Sequence, residues 1–161
     1  MQVEHGFFDF ISSTRSEVVM VIPRTDGRVL VMTKEFYPEG VYRLPTGKLH
    51  GDESPDDGLR RELFEETGFR LGARSLGIIK YCFQCDGRNS TLTSYMYMMD
   101  PTDDETVSQD ADEQISGFDY VTAAELRSIA DRLRGLSSRW RDWGRFRATA
   151  HDVAADALLI A

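Results

Sequence analysis

Three glutamates, Glu62, Glu65 and Glu66, stand at i, i+3 and i+4 in the run RRELFEET. On a helix that spacing puts three carboxylates on one side, spread over about 100° of arc. Crowded anions repel one another, and a hard divalent cation relieves the repulsion. Magnesium suits such a set, because it takes oxygen ligands and keeps several waters and phosphate oxygens in its shell. The chemistry open to the trio is therefore metal-assisted attack on a phosphate group. The plainer reading of an E-x-x-E-E run is a solvated acidic face that pairs with Arg60 or Arg61. The flanking residues decide between the two.

Those residues bound a helix. Ser54 is a good N-cap, Pro55 fits the first helical position, and Asp57 completes a capping-box-like pair with Ser54. Gly68 suits a left-handed C-terminal cap, so the pattern predicts a helix over 55–67. Leu59 and Leu63, four apart, border the acidic side and can anchor it to a sheet.

The stretch around this helix, GKLHGDESPDDGLRRELFEETGF, carries Gly47, Glu53, Arg61-Glu62-Leu63, Glu65-Glu66, Gly68 and Phe69 at fixed intervals. In this the chain resembles the Nudix hydrolases, whose signature box it reproduces position for position. The resemblance implies that Glu65 and Glu66 are the principal metal ligands, with the carbonyl of Gly47 a further one. It implies that Glu62 is either a ligand or the base for an attacking water. Arg61 would orient a neighbouring glutamate by charge-assisted hydrogen bonds, with Glu53 as its partner or as a supporting ligand. The implied cofactor is Mg2+, with Mn2+ as the alternative.

Two other segments bear on substrate and mechanism. TKEFYPEGVYRLPTGKL looks like the approach to the box in ADP-ribose pyrophosphatases. On that likeness Phe36 and Tyr37 would stack on a base, the plain alternative being that they pack a loop, and Arg43 or Lys48 would hold a phosphate. The proline that such members carry about sixteen residues beyond the box is replaced by Tyr81-Cys82-Phe83-Gln84-Cys85, and the motif of the NADH-cleaving branch is missing. Further on, Asp112-Glu113-Gln114 ahead of ISGFDYV resembles the region from which relatives supply a late carboxylate. Glu113 is the candidate catalytic residue, with Asp110 and Asp112 behind it and a solvated acidic loop as the plain alternative. Among the arginines near the end, Arg145 or Arg147 reaching a phosphate competes with ordinary surface charge.

The chain has 161 residues, of which 41% are hydrophobic and 29% charged. This describes one domain over 1–161, with an N-terminal extension over 1–16 and C-terminal helices over 122–161. The apolar runs EVVMVIP and RVLVMT, a short run over 41–44, and segments 75–85, 91–99 and 115–121 read as strands. Helices are expected over about 123–134 and 139–159. The fold class is α/β, and the resemblance implies an α/β/α sandwich with a mixed sheet. A formal charge of −8 argues against a nucleic-acid-binding module, and no membrane segment or signal peptide is read. The expected location is cytoplasmic. Cys82 and Cys85 form a C-x-x-C with no second pair, so two ordinary strand cysteines are expected rather than a zinc site.

The expected function is a divalent-metal-dependent pyrophosphohydrolase acting on a nucleoside diphosphate linked to another moiety, of ADP-ribose or nucleotide-sugar type. A nucleoside monophosphate is released and a small nucleotide is the partner. The alternatives are a nucleoside triphosphate pyrophosphohydrolase and a non-catalytic, Nudix-like metabolite-binding module. Isomerisation of an allylic diphosphate lacks the histidine-rich site it would call for. The oligomeric state is open from the sequence, with strand pairing to a second subunit through the segment before Glu17 as one route to a homodimer.

Overall fold

Strand residues buried on both sides organise the chain into layers. The computed structural model describes residues 1–160. β1 (Ser16–Val21) sends Val18 and Met20 toward Leu59 and Leu63 of α2 (Pro55–Thr67). Its alternate residues, Val19 and Val21, face Leu126 of α3 (Ala123–Arg134) and Ala150 and Ala154 of α4 (Arg141–Ile160). Period-2 alternation on a strand covered from both sides accounts for the unbroken apolar run VVMVI.

β1 lies inside a four-stranded sheet in the order β3-β1-β5-β4, with β3 at Thr46–Lys48, β4 at Ala73–Cys85 and β5 at Arg88–Met99. It runs parallel to β5 and antiparallel to β3, so the sheet is mixed. β2 (Val29–Lys34) and β6 (Ile115–Val121) pair antiparallel in a sheet of their own. Helices on both sides make this the expected α/β/α sandwich. Among the described residues no helix is long and apolar enough to cross a membrane.

The bounds of α2 follow from its caps. Ser54 Oγ accepts from the Asp57 amide at 3.1 Å, and Gly68, at φ 78°, donates to Phe64 O at 2.8 Å. Only half of the expected capping pair forms, because the Asp57 carboxylate turns to Arg60 at 2.7 Å.

Three expectations need correction. Residues 41–44 are not a strand: only Arg43 bridges Met32, and the strand entering the box loop is β3. Pro45 has no N–H to give, and the Leu44 N–H is taken by His151. The N-terminal segment is helical where a strand was expected. It forms α1 (His5–Ile11), whose Phe7, Phe8 and Ile11 are buried against Phe83 and Phe146 of the same chain. Gln2 and Val3 pair with Gln84 of β4. The last helix begins at Arg141, after a 3₁₀ turn over Ser138–Trp140. Cys82 is exposed and Cys85 buried, and both are free thiols on β4.

α4 is tied to the loop before β3 by one buried histidine. His151 Nδ1 donates to Arg147 O at 2.8 Å, and its Nε2 accepts the Leu44 N–H at 3.0 Å. Burial pulls the imidazole down to about 4. Because the folded value lies below the ordinary 6.5, the unfolded chain takes up a proton first. The stability supplied by neutral His151 is then lost as pH falls from about 6.5 toward 4. His151→Ala should cost about 2–4 kcal/mol, from the cavity and the orphaned Leu44 N–H. Denaturant titrations at pH 7 and pH 5 check this: the gap between wild type and variant should narrow at the lower pH.

Candidate active site

β3 and α2 come so close that one residue between them must be glycine. A Cβ on Gly47 would lie 2.2 Å from the Cδ of Glu62. That close approach seats Glu62 against the strand, with the side chain 7% exposed. Glu66, one turn on, is 1% exposed. The 3₁₀ turn Ala111–Glu113, capped by Asp110 accepting from the Asp112 amide, brings in Glu113. Carboxylate oxygens of Glu62, Glu66 and Glu113 lie within 4.8 Å of one another.

Three of these oxygens are buried without a hydrogen-bond partner: Oε2 of Glu62 and both oxygens of Glu66. Buried polar atoms ordinarily find partners, and an orphaned carboxylate is costly. Burial pushes Glu62 up to about 7, against the pull of Arg61. It pushes Glu66 up to about 8, against the pull of Arg43. Hard oxygen donors converging from two segments, several without partners, fit a magnesium-sized divalent cation.

Arg61 holds the surrounding carboxylates in place. Its Nε and Nη2 grip the two oxygens of Glu53 at 2.8 and 2.7 Å, and Nη2 also donates to Lys48 O at 3.0 Å. Nη1 donates to Glu62 at 2.8 Å and to Glu65 at 3.1 Å. The Arg61 hydrogen bonds, chiefly, hold the Glu53 carboxyl down at about 2. Glu65 is thus turned toward Arg61 and stands apart from the close trio. Glu113 is held from the other side by Lys34 Nζ at 2.9 Å.

The residues expected to meet substrate divide. Arg43 is buried, with Nε donating to Tyr37 Oη at 2.7 Å and Nη1 to Leu44 O and Thr46 Oγ1 at 2.8 and 2.9 Å. These donors serve the loop, and the guanidinium lends its charge to Glu66. Tyr37 packs against Trp140 and Trp143. Phe36 stays exposed beside Trp140, the rings 18° from parallel. Lys48 extends over Phe10. All line one cleft of about 1180 Å³ that also reaches Glu62, Glu65 and Glu113. Asp110 lines it too, whereas Asp112 is exposed outside it.

Sequence reasoning missed Glu17, Lys34 and the role of Arg147. Glu17 on β1 is buried in the cleft floor and accepts from Arg147 Nη1 at 2.9 Å and from Ser94 Oγ at 2.7 Å. A glutamate opening an apolar strand was the available signal. Arg147 faces the cleft, while Arg145 lies outside it, exposed, and pairs with the buried Asp142.

A family model described as NUDIX domain matches residues 13–143. A "MutT-like protein" of Streptomyces ambofaciens is 36% identical over 77 residues, which cover 42% of this chain and 49% of that protein. The match therefore spans about half the length of that curated relative. The E. coli dihydroneopterin triphosphate pyrophosphohydrolase superposes with a TM-score of 0.63 at 15% identity, over 91% of this chain and 96% of that one. The NUDIX domain of Shewanella oneidensis NrtR, solved with ADP ribose, gives 0.62 at 14% identity, over 97% and 99%. Both are likenesses of fold.

Because the folded-state pKa of Glu66 is raised above its ordinary 4.5, its contribution to stability is complete below that value and is lost as pH rises toward 8. In chelator, Glu66→Gln should therefore melt higher than wild type at pH 8, with the difference vanishing near pH 5. Magnesium at a hundredfold excess over its Kd should stabilise wild type by about 2–3 kcal/mol and the variant far less. Thermal melts across pH, with and without the ion, read both effects.

Proposed function

We propose, from the premise that this chain belongs to the NUDIX domain family, that it is a divalent-metal-dependent pyrophosphohydrolase. Its substrate is a nucleoside diphosphate linked to another moiety, of the ADP-ribose or nucleotide-sugar type. The observation that carries this reading is the convergence of Glu62, Glu66 and Glu113, three of whose buried oxygens have no partner in the protein. A reducing, cytoplasmic setting suits the free thiols of Cys82 and Cys85.

Glu62, Glu66 and Glu113 would hold the cation, magnesium or alternatively manganese. When bound, it neutralises the diphosphate and lowers the pKa of a water. The attacking water would add its oxygen to one phosphorus, and the bond between that same phosphorus and the bridging oxygen would break, the bridging oxygen staying on the other phosphate. The leaving phosphate takes the electron pair of that bond. The products are a nucleoside monophosphate and the phosphorylated moiety.

The chain's part is positioning and proton transfer. Arg61 keeps Glu62 aligned against Gly47 and draws Glu53 and Glu65 into the same network. In the alternative to a ligand role, Glu113, on the opposite side and tethered by Lys34, would accept the proton of the water. Arg43 and Lys34 keep net negative charge at the cluster low enough for an anionic substrate to approach.

Hydrolysis should cease in excess chelator and return with magnesium. Glu113→Gln should lower kcat by about 10²–10⁴ with little change in KM if the residue acts as base, because proton transfer matters in the transition state. A metal-ligand role would instead raise the magnesium needed for half-maximal rate. Release assays over ADP-ribose, sugar nucleotides, dinucleoside polyphosphates and nucleoside triphosphates, repeated on the variant, check these outcomes. Binding without release from any of them would contradict the hydrolase reading.

A further inference from the structure

Two large apolar side chains in the cleft are left open to solvent: Phe10, 57% exposed, and Phe36, 48% exposed. A single exposed phenylalanine needs no explanation. Here each ring carries a lysine. Lys48 Nζ lies 5.8 Å from the Phe10 ring centre, and Lys34 Nζ lies 6.0 Å from that of Phe36.

Both lysines also border the carboxylate cluster. Lys34 pairs with Glu113 at 2.9 Å, so the Phe36 ring stands within about 9 Å of that carboxylate. Lys48 offers its carbonyl to Arg61, whose next nitrogen holds Glu62. The two platforms belong to separate parts of the fold. Phe36 follows β2 of the two-stranded sheet and groups with Tyr37 and Trp140. Phe10 sits on α1, groups with the buried Phe7 at 6.2 Å, and meets Lys48 of β3, an edge of the four-stranded sheet.

A flat aromatic face stacks on any base, and a lysine beside it attracts the phosphates attached to that base. A metal-ligating cluster flanked by two such pairs is suited to a phosphate chain with a ring system at either end. The cleft, at about 1180 Å³, is above the ~300–1,000 Å³ usual for small-molecule sites. We propose that the ligand is a dinucleotide-type molecule, two nucleosides joined through their 5′ phosphates, with one base on Phe36 and the other on Phe10. This rests on the metal-site and hydrolase reading above and replaces its ADP-ribose or nucleotide-sugar type with another: the linked moiety carries a second heterocycle and is not a bare sugar.

Diadenosine diphosphate and ADP-ribose differ only in the second adenine, which makes them the probes. Their dissociation constants are measured by calorimetry with calcium in place of magnesium, on wild type, Phe10→Ala and Phe10→Tyr. The expected result is that diadenosine diphosphate binds wild type about 5–150-fold more tightly than ADP-ribose, the worth of one stacked base. Phe10→Ala should collapse that ratio toward one, and Phe10→Tyr should keep it. Equal affinities in wild type, no binding of either probe, or an unchanged ratio in Phe10→Ala would overturn the proposal. So would a dimer that Phe10→Ala dissociates in sedimentation, since a second copy would then cover the ring. Turnover in magnesium is scored separately. Cleavage of both probes with equal affinity removes the two-ring inference and leaves the hydrolase reading. Tight two-ring binding without cleavage does the reverse.

Discussion

Three converging carboxylates, two of them buried, form the constraint around which the rest of the site is arranged. Carboxylate oxygens of Glu62, Glu66 and Glu113 lie within 4.8 Å of one another, and three oxygens of Glu62 and Glu66 have no hydrogen-bond partner. In a low-dielectric setting like charges repel far more strongly than in water. Protons or a cation must relieve that repulsion, and burial first, with the neighbouring carboxylates adding to it, shifts Glu62 and Glu66 up to about 7 and 8. Such a site is destabilising when empty of positive charge and stabilising when filled. Its cost is distributed over Arg61, Arg43 and Lys34, each bound to or facing one member of the trio.

The layers exist to keep that trio in place. Leu59 and Leu63 bury one side of α2 against β1, which fixes the rotation of the helix and hence the direction of Glu62 and Glu66. Gly47 sets how near β3 can approach. On the other face, His151 pins the Leu44 loop to α4 and so positions the Arg43 that faces Glu66. Each contact is ordinary. Their effect on chemistry comes from carrying side chains of different segments to one spot.

Much of this was legible in the sequence because it is local. Ser54, Pro55 and Gly68 bound α2 through backbone rules that act within a few residues, and the i, i+3, i+4 spacing placed the carboxylates on one side. The strand β6 and the capped helix α3 were equally readable. Long-range partners were not. Arg43 beside the metal-binding turn read as a phosphate ligand, and only the fold shows its donors spent on Tyr37, Leu44 and Thr46. The pairing of Glu17 with Arg147 spans 130 residues. α1 was missed because its seven residues give too short a window for helical periodicity, although Phe7, Phe8 and Ile11 carry it. Residues 41–44 looked like a strand by composition, but a proline and a histidine elsewhere remove the donors a ladder needs.

The central claim is that Glu62, Glu66 and Glu113 together hold the divalent ion. Anomalous diffraction from crystals grown with manganese tests it most directly, since the ion's position is seen without reference to activity. The account predicts a peak bonded at about 2.0–2.2 Å to an oxygen from each of Glu62, Glu66 and Glu113. A peak bound instead through Glu65 and Glu53 with the trio left apart, or no peak in the cleft at saturating manganese, would contradict it.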